Sequence, residues 1–200
     1  MGWISRVRRP WSEVDYWVLD LETSGLEPRR NVIESVGMVP IRRGRIRWGE
    51  RWYRTVRAQP AYLSPEVIAL HRLMPDERED SPEFTALIPE IRNRLEGSVL
   101  ILHFARFDLA FLRRAFQAAG QPWPRPPVVD TVRLLGRLEH RRTFLRPDTR
   151  PLPRNLSQAV EAFGLPSYRA HHALHDALMT AELFLVLRER LGANRLYQLL

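Results

Sequence analysis

The segment YWVLDLETSG, residues 16–25, decides the fold of this chain. Its apolar first half predicts a buried strand, and the Thr, Ser and Gly that follow predict a turn. Residues two apart on a strand project to the same side, so Asp20 and Glu22 face one spot. Two neighbouring carboxylates repel each other unless a cation or a proton lies between them. A solvated, acidic strand end is the alternative, and this segment alone leaves both interpretations open.

Further strands and helices are predicted on the C-terminal side of this segment. Hydrophobic alternation and short apolar runs predict strands at 32–41, 45–56, 99–103 and 128–130. Capping signals and apolar periodicity predict helices that begin near Ser64 and Ser81 and helices that span 108–119, 131–138, 155–163 and 172–191. This order predicts an α/β fold, in which a mixed five-stranded sheet has helices on both faces within a single domain.

Two segments differ from this pattern. Residues 1–14 are basic and aromatic and predict an N-terminal arm, so the folded domain comprises residues 15–200. Residues 139–154 are basic, proline-rich and aperiodic, which predicts a mobile loop. We hypothesise that the arginines of this loop follow a nucleic-acid backbone, namely Arg141, Arg142, Arg146 and Arg150.

The composition limits the classes of function. The 200 residues have a formal net charge of +8, and all 31 basic residues are arginine, which favours a polyanionic partner without proving one. The absence of cysteine excludes disulfides, thiolate catalysis and cysteine-based zinc sites. No apolar run approaches the ~20 residues of a membrane span, and the start lacks the apolar core of a secretory signal. We therefore expect a cytoplasmic protein with no membrane partner.

A further acidic residue, Asp108, follows the predicted strand at 99–103. It lies at the start of an apolar helix, where an aspartate is a good capping residue. Capping alone does not explain why the preceding strand ends beside the sheet edge at which Asp20 is expected. His103, at the end of the same strand, is interpreted as a packed or hydrogen-bonded histidine rather than a metal ligand.

The segment HHALHDA, residues 171–177, begins the last predicted helix. Its Asp176 has apolar neighbours, and a partly buried aspartate is costly unless it is paired or bound to a metal. His171 lies about one turn earlier, where the entry to the helix can place it over the same site. His171 and His175 are four residues apart and permit a zinc interpretation, but the glutamate of a HExxH motif and any cysteine are missing.

Three motifs in this order resemble the histidine subclass of the DEDD exonuclease superfamily: DLETSGL (20–26), HFARFDLAFL (103–112) and HHALHDA (171–177). That superfamily includes the proofreading epsilon subunit of bacterial DNA polymerase III. The segments VIESVGMVPIRRGRI and LSPEVIALHRLMPDE resemble the regions between the first two motifs. The resemblance therefore covers about residues 15–190 and implies a ribonuclease H-like fold.

The resemblance also implies a role for each motif residue. Two divalent ions, Mg²⁺ or Mn²⁺, would be bound by Asp20, Glu22, Asp108 and Asp176, and His171 would be the general base. The tyrosine subclass would need a tyrosine at the position of His172, and Asp130 would be structural. The chain departs from the family pattern at Phe104, where the family usually has Asn, and at His71-Arg72-Leu73, where it has His-Gly-Ile.

The implied activity is that of a 3′→5′ exonuclease that releases nucleoside 5′-monophosphates from a single-stranded or frayed 3′ end, with DNA favoured over RNA. We predict substrate contacts from four further residues: Thr23, Leu26, His103 and Phe107. Two alternatives stay open, an exoribonuclease of the same superfamily and a non-catalytic nucleic-acid-binding module. A DNA polymerase or a repair complex is a candidate protein partner, to which the non-catalytic module would be attached.

Overall fold

The computed structural model describes residues 7–57, 80–148, 150–168 and 171–200. The strands are β1 (Tyr16–Thr23), β2 (Ile33–Arg42), β3 (Arg45–Ile46), β4 (Trp52–Thr55), β5 (Val99–Leu102) and β6 (Val128–Asp130). The α-helices are α1 (Phe84–Leu95), α2 (Ala105–Ala118), α3 (Thr131–Leu145), α4 (Leu156–Ala162) and α5 (Ala173–Leu191). The helix predicted to begin at Ser64 and the segment His71-Arg72-Leu73 lie outside the described residues.

The strands form one mixed sheet in the order β3-β2-β1-β5-β6, with β4 paired to β2. β1 is antiparallel to β2 but parallel to β5, which is in turn parallel to β6. The predicted α/β class is confirmed, although the sheet has six strands rather than five. The predicted strand at 45–56 is two strands, because a 3-10 turn at Trp48–Glu50 interrupts it. Gly49 lies within that turn, and glycine weakens a strand interior.

Side chains of β1 alternate between two cores, one on each face of the sheet. Tyr16 and Val18 pack with α3, α4 and α5, whereas Trp17, Leu19 and Leu21 pack with α1 and α2. This period of two is what a strand buried on both faces requires. The prediction of helices on both faces is therefore confirmed, and the carboxyl ends of β1, β5 and β6 meet at one edge of the sheet.

The predicted loop at 139–154 is wrong in its first half, because α3 continues to Leu145. The helix buries an apolar stripe that ends at Leu138, and the polar residues after it continue the helix until Pro147 approaches. The chain then returns along α3, where the guanidinium of Arg154 pairs with the carboxylate of Glu139. Arg141 donates to the carbonyl of Leu191 at 3.3 Å, at the opposite end of α5 from Asp176. This arginine therefore does not follow a strand near the carboxylates.

The described part of the N-terminal arm packs against the end of the chain. The backbone N–H of Trp11 donates to the carbonyl of Asn194 at 3.1 Å, and the Trp11 ring meets Phe184 edge-on at 6.4 Å. The guanidinium of Arg188 lies 4.4 Å from the Trp11 ring centroid. Within the described residues, no helix combines the length and the apolar character that crossing a membrane requires.

Candidate active site

Parallel pairing of β1 and β5 brings the first two acidic motifs together. Val18 pairs with Ile101, so the last residues of the two strands lie side by side at the same sheet edge. Asp20 and Glu22 project from the end of β1, and Asp108 lies in the first turn of α2, which follows β5. Clefts at the carboxyl ends of parallel strands are the usual ligand sites of α/β sheets.

Gly37 brings the third motif to the same place. This glycine lies in the middle of β2, directly opposite Asp20 in the antiparallel pairing. A Cβ atom at position 37 would lie 2.3 Å from the backbone carbon of Ala173 and 2.4 Å from the nitrogen of Leu174. The backbone at the start of α5 therefore rests on the strand itself, a separation that only glycine permits. This contact sets Asp176, in the first turn of α5, beside Asp20.

The carboxylates of Asp20, Glu22 and Asp176 form one cluster. Each offers an oxygen atom, and these oxygens all lie within 4.8 Å of one another. Glu22 is buried, whereas Asp20 and Asp176 are partly exposed. Among the described residues this cluster includes no histidine, so the zinc interpretation based on His171 and His175 gains no support.

Burial and neighbouring acids raise the proton affinity of Asp20 and Asp108. Burial raises the pKa of Asp20 well above its ordinary value, and the charges of Asp108, Asp176 and Glu22 raise it further. Burial likewise raises the pKa of Asp108 to about 8, and backbone hydrogen bonds at Asp108 and Leu21 only partly offset this. Ionised carboxylates at this density need a compensating positive charge.

The four predicted carboxylates line a single open cavity of about 820 Å³. Its remaining walls are formed by a loop after β1, the start of α2, the start of α4 and the entry to α5. The residues that line it are Asp20, Leu21, Glu22, Leu26, Pro28, His103, Phe104, Arg106, Phe107, Asp108, Ala110, Asn155, Leu156, His171 and Asp176. An acidic cavity with an arginine at its rim can accept a phosphodiester together with cations.

Comparison with known families decides what kind of domain this is. Residues 17–184 match the model of the RNase T exonuclease family, which is more than half of the chain. The chain belongs to the exonuclease family. The DEDD resemblance that the three motifs predicted is thus confirmed, and with it the assignment to the hydrolases.

Individual relatives of this exonuclease domain are much longer proteins. It is 29% identical over 193 residues to the PolC-type DNA polymerase III of Thermotoga maritima, which covers 94% of this chain and 13% of the relative. It is 26% identical over 175 residues to the 3′-5′ exonuclease DinG of Staphylococcus saprophyticus, which covers 88% of this chain and 18% of the relative. The exonuclease domain therefore spans less than a fifth of these two curated relatives.

Solved structures share the fold of the exonuclease domain. The crystal structure of E. coli Exonuclease I with a dA16 oligonucleotide has a TM-score of 0.73 at 18% identity, covering 92% of this chain and 42% of that chain. Exonuclease X in complex with 5′ overhanging duplex DNA has a TM-score of 0.64 at 23% identity, covering 92% of this chain and 97% of that chain. These matches confirm the ribonuclease H-like architecture.

In the exonuclease domain, His171 lies at the rim of the carboxylate cavity. It is exposed, and its backbone has a positive φ of 60°. Its backbone N–H donates to Oδ2 of Asp176 at 3.3 Å. The same carboxylate that belongs to the acidic cluster thus fixes the turn that presents His171.

His103 is buried below the cavity and held by both ring nitrogens. Its Nδ1 lies 2.7 Å from the hydroxyl oxygen of Thr131, and its Nε2 donates to the carbonyl of Arg154 at 2.7 Å. Burial lowers the pKa of His103, although the Arg154 hydrogen bond and the Asp130 charge oppose that shift. This histidine joins β5, α3 and the segment that returns along α3, in agreement with the hydrogen-bonded interpretation.

The other predicted substrate contacts lie in different surroundings. Leu26 is 80% exposed and lines the cavity from the loop after β1. Phe107 also lines the cavity while its ring packs on Phe111 at 5.1 Å, so it belongs to both the wall and the core. Thr23 is not among the lining residues, and its hydroxyl donates to the carbonyl of Gly25 at 2.9 Å. Thr23 thus shapes the loop that presents Leu26.

The role of Gly37 was not predicted from the sequence. The available signal was a glycine inside the β-rich stretch at 32–41, because glycine within a strand often marks a close backbone approach. It could not show which backbone approaches, since Ala173 is more than 130 positions away in the sequence. The buried alanines of α5 at positions 173, 177 and 181 share a spacing of four and permit the same close packing.

Proposed function

We propose that this chain is a 3′→5′ exonuclease domain that removes nucleoside 5′-monophosphates from single-stranded or frayed 3′ ends, with DNA as the favoured substrate. The supporting observation is the convergence of Asp20, Glu22, Asp108 and Asp176 on one cavity from three separated motifs. Four acids that share one cavity, with Glu22 and Asp108 buried, oppose folding, so their assembly at a sheet edge is best explained by chemistry. Membership of the exonuclease family supports the reaction type.

The donor set fits two hard divalent cations, Mg²⁺ or Mn²⁺. All the donors are carboxylate oxygens, which these ions prefer, and three of them lie within 4.8 Å of one another. The raised pKa values of Asp20 and Asp108 reflect the repulsion and desolvation that bound cations relieve. Bound divalent cations would neutralise the phosphate and favour ionisation of the attacking water.

The protein side chains supply proton transfer and orientation. We assign His171, exposed at the cavity rim, as the general base that accepts the proton of the attacking water, because an imidazole is the most frequent general base in enzymes. Asp176 fixes the turn that carries His171 through the backbone hydrogen bond at 3.3 Å. We expect His171→Ala to lower the rate on the order of 10²–10⁴-fold while leaving metal affinity largely intact.

A basic groove supports an extended polyanionic substrate. The carboxylate cavity shares Leu26, Pro28 and Ala110 with a second groove, which is lined by Arg29, Arg113 and Arg114. These three arginines are exposed, and none forms an ion pair within the described residues. The groove also contains Glu27, which pairs with Arg30, and its three arginines offer guanidinium groups to a strand that enters the cavity.

The groove has its own test. We expect an Arg113→Ala, Arg114→Ala protein to show a weaker salt dependence of oligonucleotide binding, with the slope reduced by about 0.7 for each lost phosphate contact on a single strand. An Arg45→Ala, Arg47→Ala protein is the matched control, because both residues are exposed near β3 at one edge of the sheet. Equal slopes for the two double variants would contradict the groove assignment.

The activity is tested with 5′-labelled single-stranded DNA and RNA of matched sequence. Each strand is incubated with the wild-type protein in Mg²⁺, Mn²⁺ or EDTA, beside an Asp20→Ala variant. We expect DNA to shorten stepwise from its 3′ end in the presence of metal, with no shortening in EDTA or with the variant. Preferential shortening of RNA would indicate an exoribonuclease. Binding without shortening of either strand would indicate a non-catalytic module, for instance one that serves a polymerase or repair complex.

A further inference from the structure

The cavity lining combines two chemically different kinds of side chain. Four of its residues are the carboxylates, whereas Leu26, Phe104, Phe107 and Leu156 are apolar. Phe104 is 49% exposed, which is unusual for a phenylalanine next to a core. A nucleotide has the same division, since its phosphate is anionic and its base has an apolar aromatic face.

The backbone of Phe104 is held in an unfavourable conformation. Its φ of 59° and ψ of 54° lie in the left-handed region, where a bulky side chain is a genuine outlier. The position is fixed because Phe104 is the N-cap of α2, and its carbonyl accepts from the N–H of Phe107 at 2.9 Å. Asparagine and glycine adopt this conformation at lower cost. A phenylalanine here therefore opposes local stability, and strain of this kind concentrates at binding sites.

The ring of Phe104 stands on a rigid support. It contacts His103 edge-on, with ring centroids 5.1 Å apart and an interplanar angle of 86°. His103 is itself held by Thr131 and the Arg154 carbonyl. An aromatic ring that is exposed, presented into the cavity and supported from below is suited to stack on a planar ligand.

We propose that Phe104 stacks on the base of one of the two nucleotides that flank the scissile phosphate, and so makes the enzyme prefer base-bearing over abasic ends. The proposal rests on the proposed nucleic-acid substrate and adds a specificity contact that the four carboxylates do not provide. Stacking on an aromatic side chain tolerates every base, because every base has a π face. The contact therefore distinguishes a nucleotide that carries a base from one that lacks it, but it does not distinguish one base from another.

The test compares strands that differ only in one base. Single-stranded DNA carries either normal nucleotides or a tetrahydrofuran abasic residue at the terminal or the penultimate position of the 3′ end. Cleavage rates are measured in Mn²⁺, and binding is measured by fluorescence anisotropy in Ca²⁺. The proteins are wild type, Phe104→Leu, Phe104→Tyr and Phe104→Asn. The matched control is Phe144→Leu, at an 83% exposed phenylalanine of α3.

We expect wild type, Phe104→Tyr and Phe144→Leu to favour the base-bearing strand about tenfold at one of the two positions. Phe104→Leu and Phe104→Asn should lose that preference, because they cleave and bind the base-bearing strand less well than wild type does. Their cleavage and binding of the abasic strand should not change. Phe104→Asn should also melt a few degrees higher than wild type, because the strain is relieved. A higher melting temperature would show that Phe104→Asn loses the preference through lost stacking and not through misfolding.

An equal loss on both strands, or an unchanged preference in Phe104→Leu, would overturn the stacking role. A wild-type protein that cuts neither strand would instead contradict the proposed exonuclease activity. The anisotropy measurement then still decides whether Phe104 distinguishes base-bearing from abasic strands. The two failures are therefore distinguishable.

Discussion

Asp108 and Asp130 both lie where a parallel strand of the sheet gives way to a helix, but their carboxylates have different surroundings. Asp130 is the N-cap of α3, and its two oxygens accept from the N–H groups of Val132 at 2.9 Å and Ala105 at 3.1 Å. Asp108 lies three residues into α2, buried beside the acids of β1, with its pKa raised to about 8. Both carboxylates have backbone hydrogen-bond partners, but only Asp108 is buried beside other acids.

The difference in surroundings distinguishes an acid with a structural role from an acid with a functional role. A carboxylate that caps a helix has donors for its charge and stabilises the folded state. A carboxylate buried among other carboxylates destabilises the folded state until a cation or a proton compensates it. Replacing Asp108 and replacing Asp130 should therefore have opposite effects on stability and activity. Three experiments test this contrast, and a fourth, at Gly37, tests how Asp176 is positioned beside the same acids.

The largest expected effect is on activity. Replacing Asp108 with Asn keeps the shape of the side chain but removes one charge from the proposed metal site. We expect the exonuclease rate in Mg²⁺ to fall on the order of 10³-fold or more, because phosphate neutralisation depends on the bound cations. The rate is measured on 5′-labelled DNA, with circular dichroism to confirm folding. A loss of less than tenfold would remove Asp108 from the catalytic set.

A smaller but still large effect is expected at Gly37. A Cβ in Gly37→Ala would overlap the backbone of Ala173 and Leu174, so α5 must move and displace Asp176 from Asp20. We expect the rate to fall on the order of 10²-fold and the melting temperature to fall by several degrees. Gly49→Ala is the matched control, since a Cβ there meets no atom within 4 Å. Equal behaviour of the two variants would show that the close contact does not position Asp176.

The third effect concerns the pH dependence of stability without metal. Because the pKa of Asp108 is raised from 3.8 to about 8, the folded state holds a proton that the unfolded state releases between these values. The free energy of unfolding should therefore fall as pH rises from about 4 to about 8. Asp108→Asn should flatten this decline and melt roughly 5 °C above wild type at pH 8 in EDTA. Parallel melting curves across this pH range would contradict the shifted pKa.

The smallest effect is expected at Asp130. Asp130→Ala removes the cap of α3 and the acceptor for the Ala105 N–H, and should cost about 1–2 kcal/mol in the free energy of unfolding. The rate of the folded protein should fall by less than about tenfold, since the carboxylate cluster is intact. Urea unfolding and the DNA assay measure the two quantities. A loss of activity as large as that of Asp108→Asn would end the distinction between the two aspartates.

Much of the fold and the acidic set could be predicted from the sequence, because both depend on local patterns. The apolar run before Asp20 predicts the buried strand, and the acid at position i+2 predicts that two carboxylates share a face. The helix predicted at 155–163 is also observed, as α4, and the side chain of Asn155 caps it by accepting from the N–H of Gln158 at 3.2 Å. The order of the three motifs predicted the family, and the family match over residues 17–184 confirms that prediction.

Features that depend on distant contacts could not be predicted. The helix α3 continues beyond Leu138 because the Glu139 carboxylate accepts from the N–H of Leu152 and pairs with Arg154. Local periodicity in the sequence does not indicate these contacts. The left-handed backbone of Phe104 contradicts the preference of phenylalanine, so no propensity could indicate it. The contact of Gly37 with the start of α5 joins segments far apart in the chain. These are the positions where tertiary packing overrides local preference.

The proposed metal site is tested most directly by calorimetric titration of Mn²⁺ into the metal-free protein at pH 7, for wild type, Asp20→Asn and Asp130→Ala. We expect wild type to bind two ions with release of protons, since cation binding must displace the proton that Asp108, with its pKa of about 8, retains at pH 7. Asp130→Ala should bind in the same way, and Asp20→Asn should lose most of the heat. Absence of binding by wild type, or unchanged binding by Asp20→Asn, would contradict a metal site built from these carboxylates.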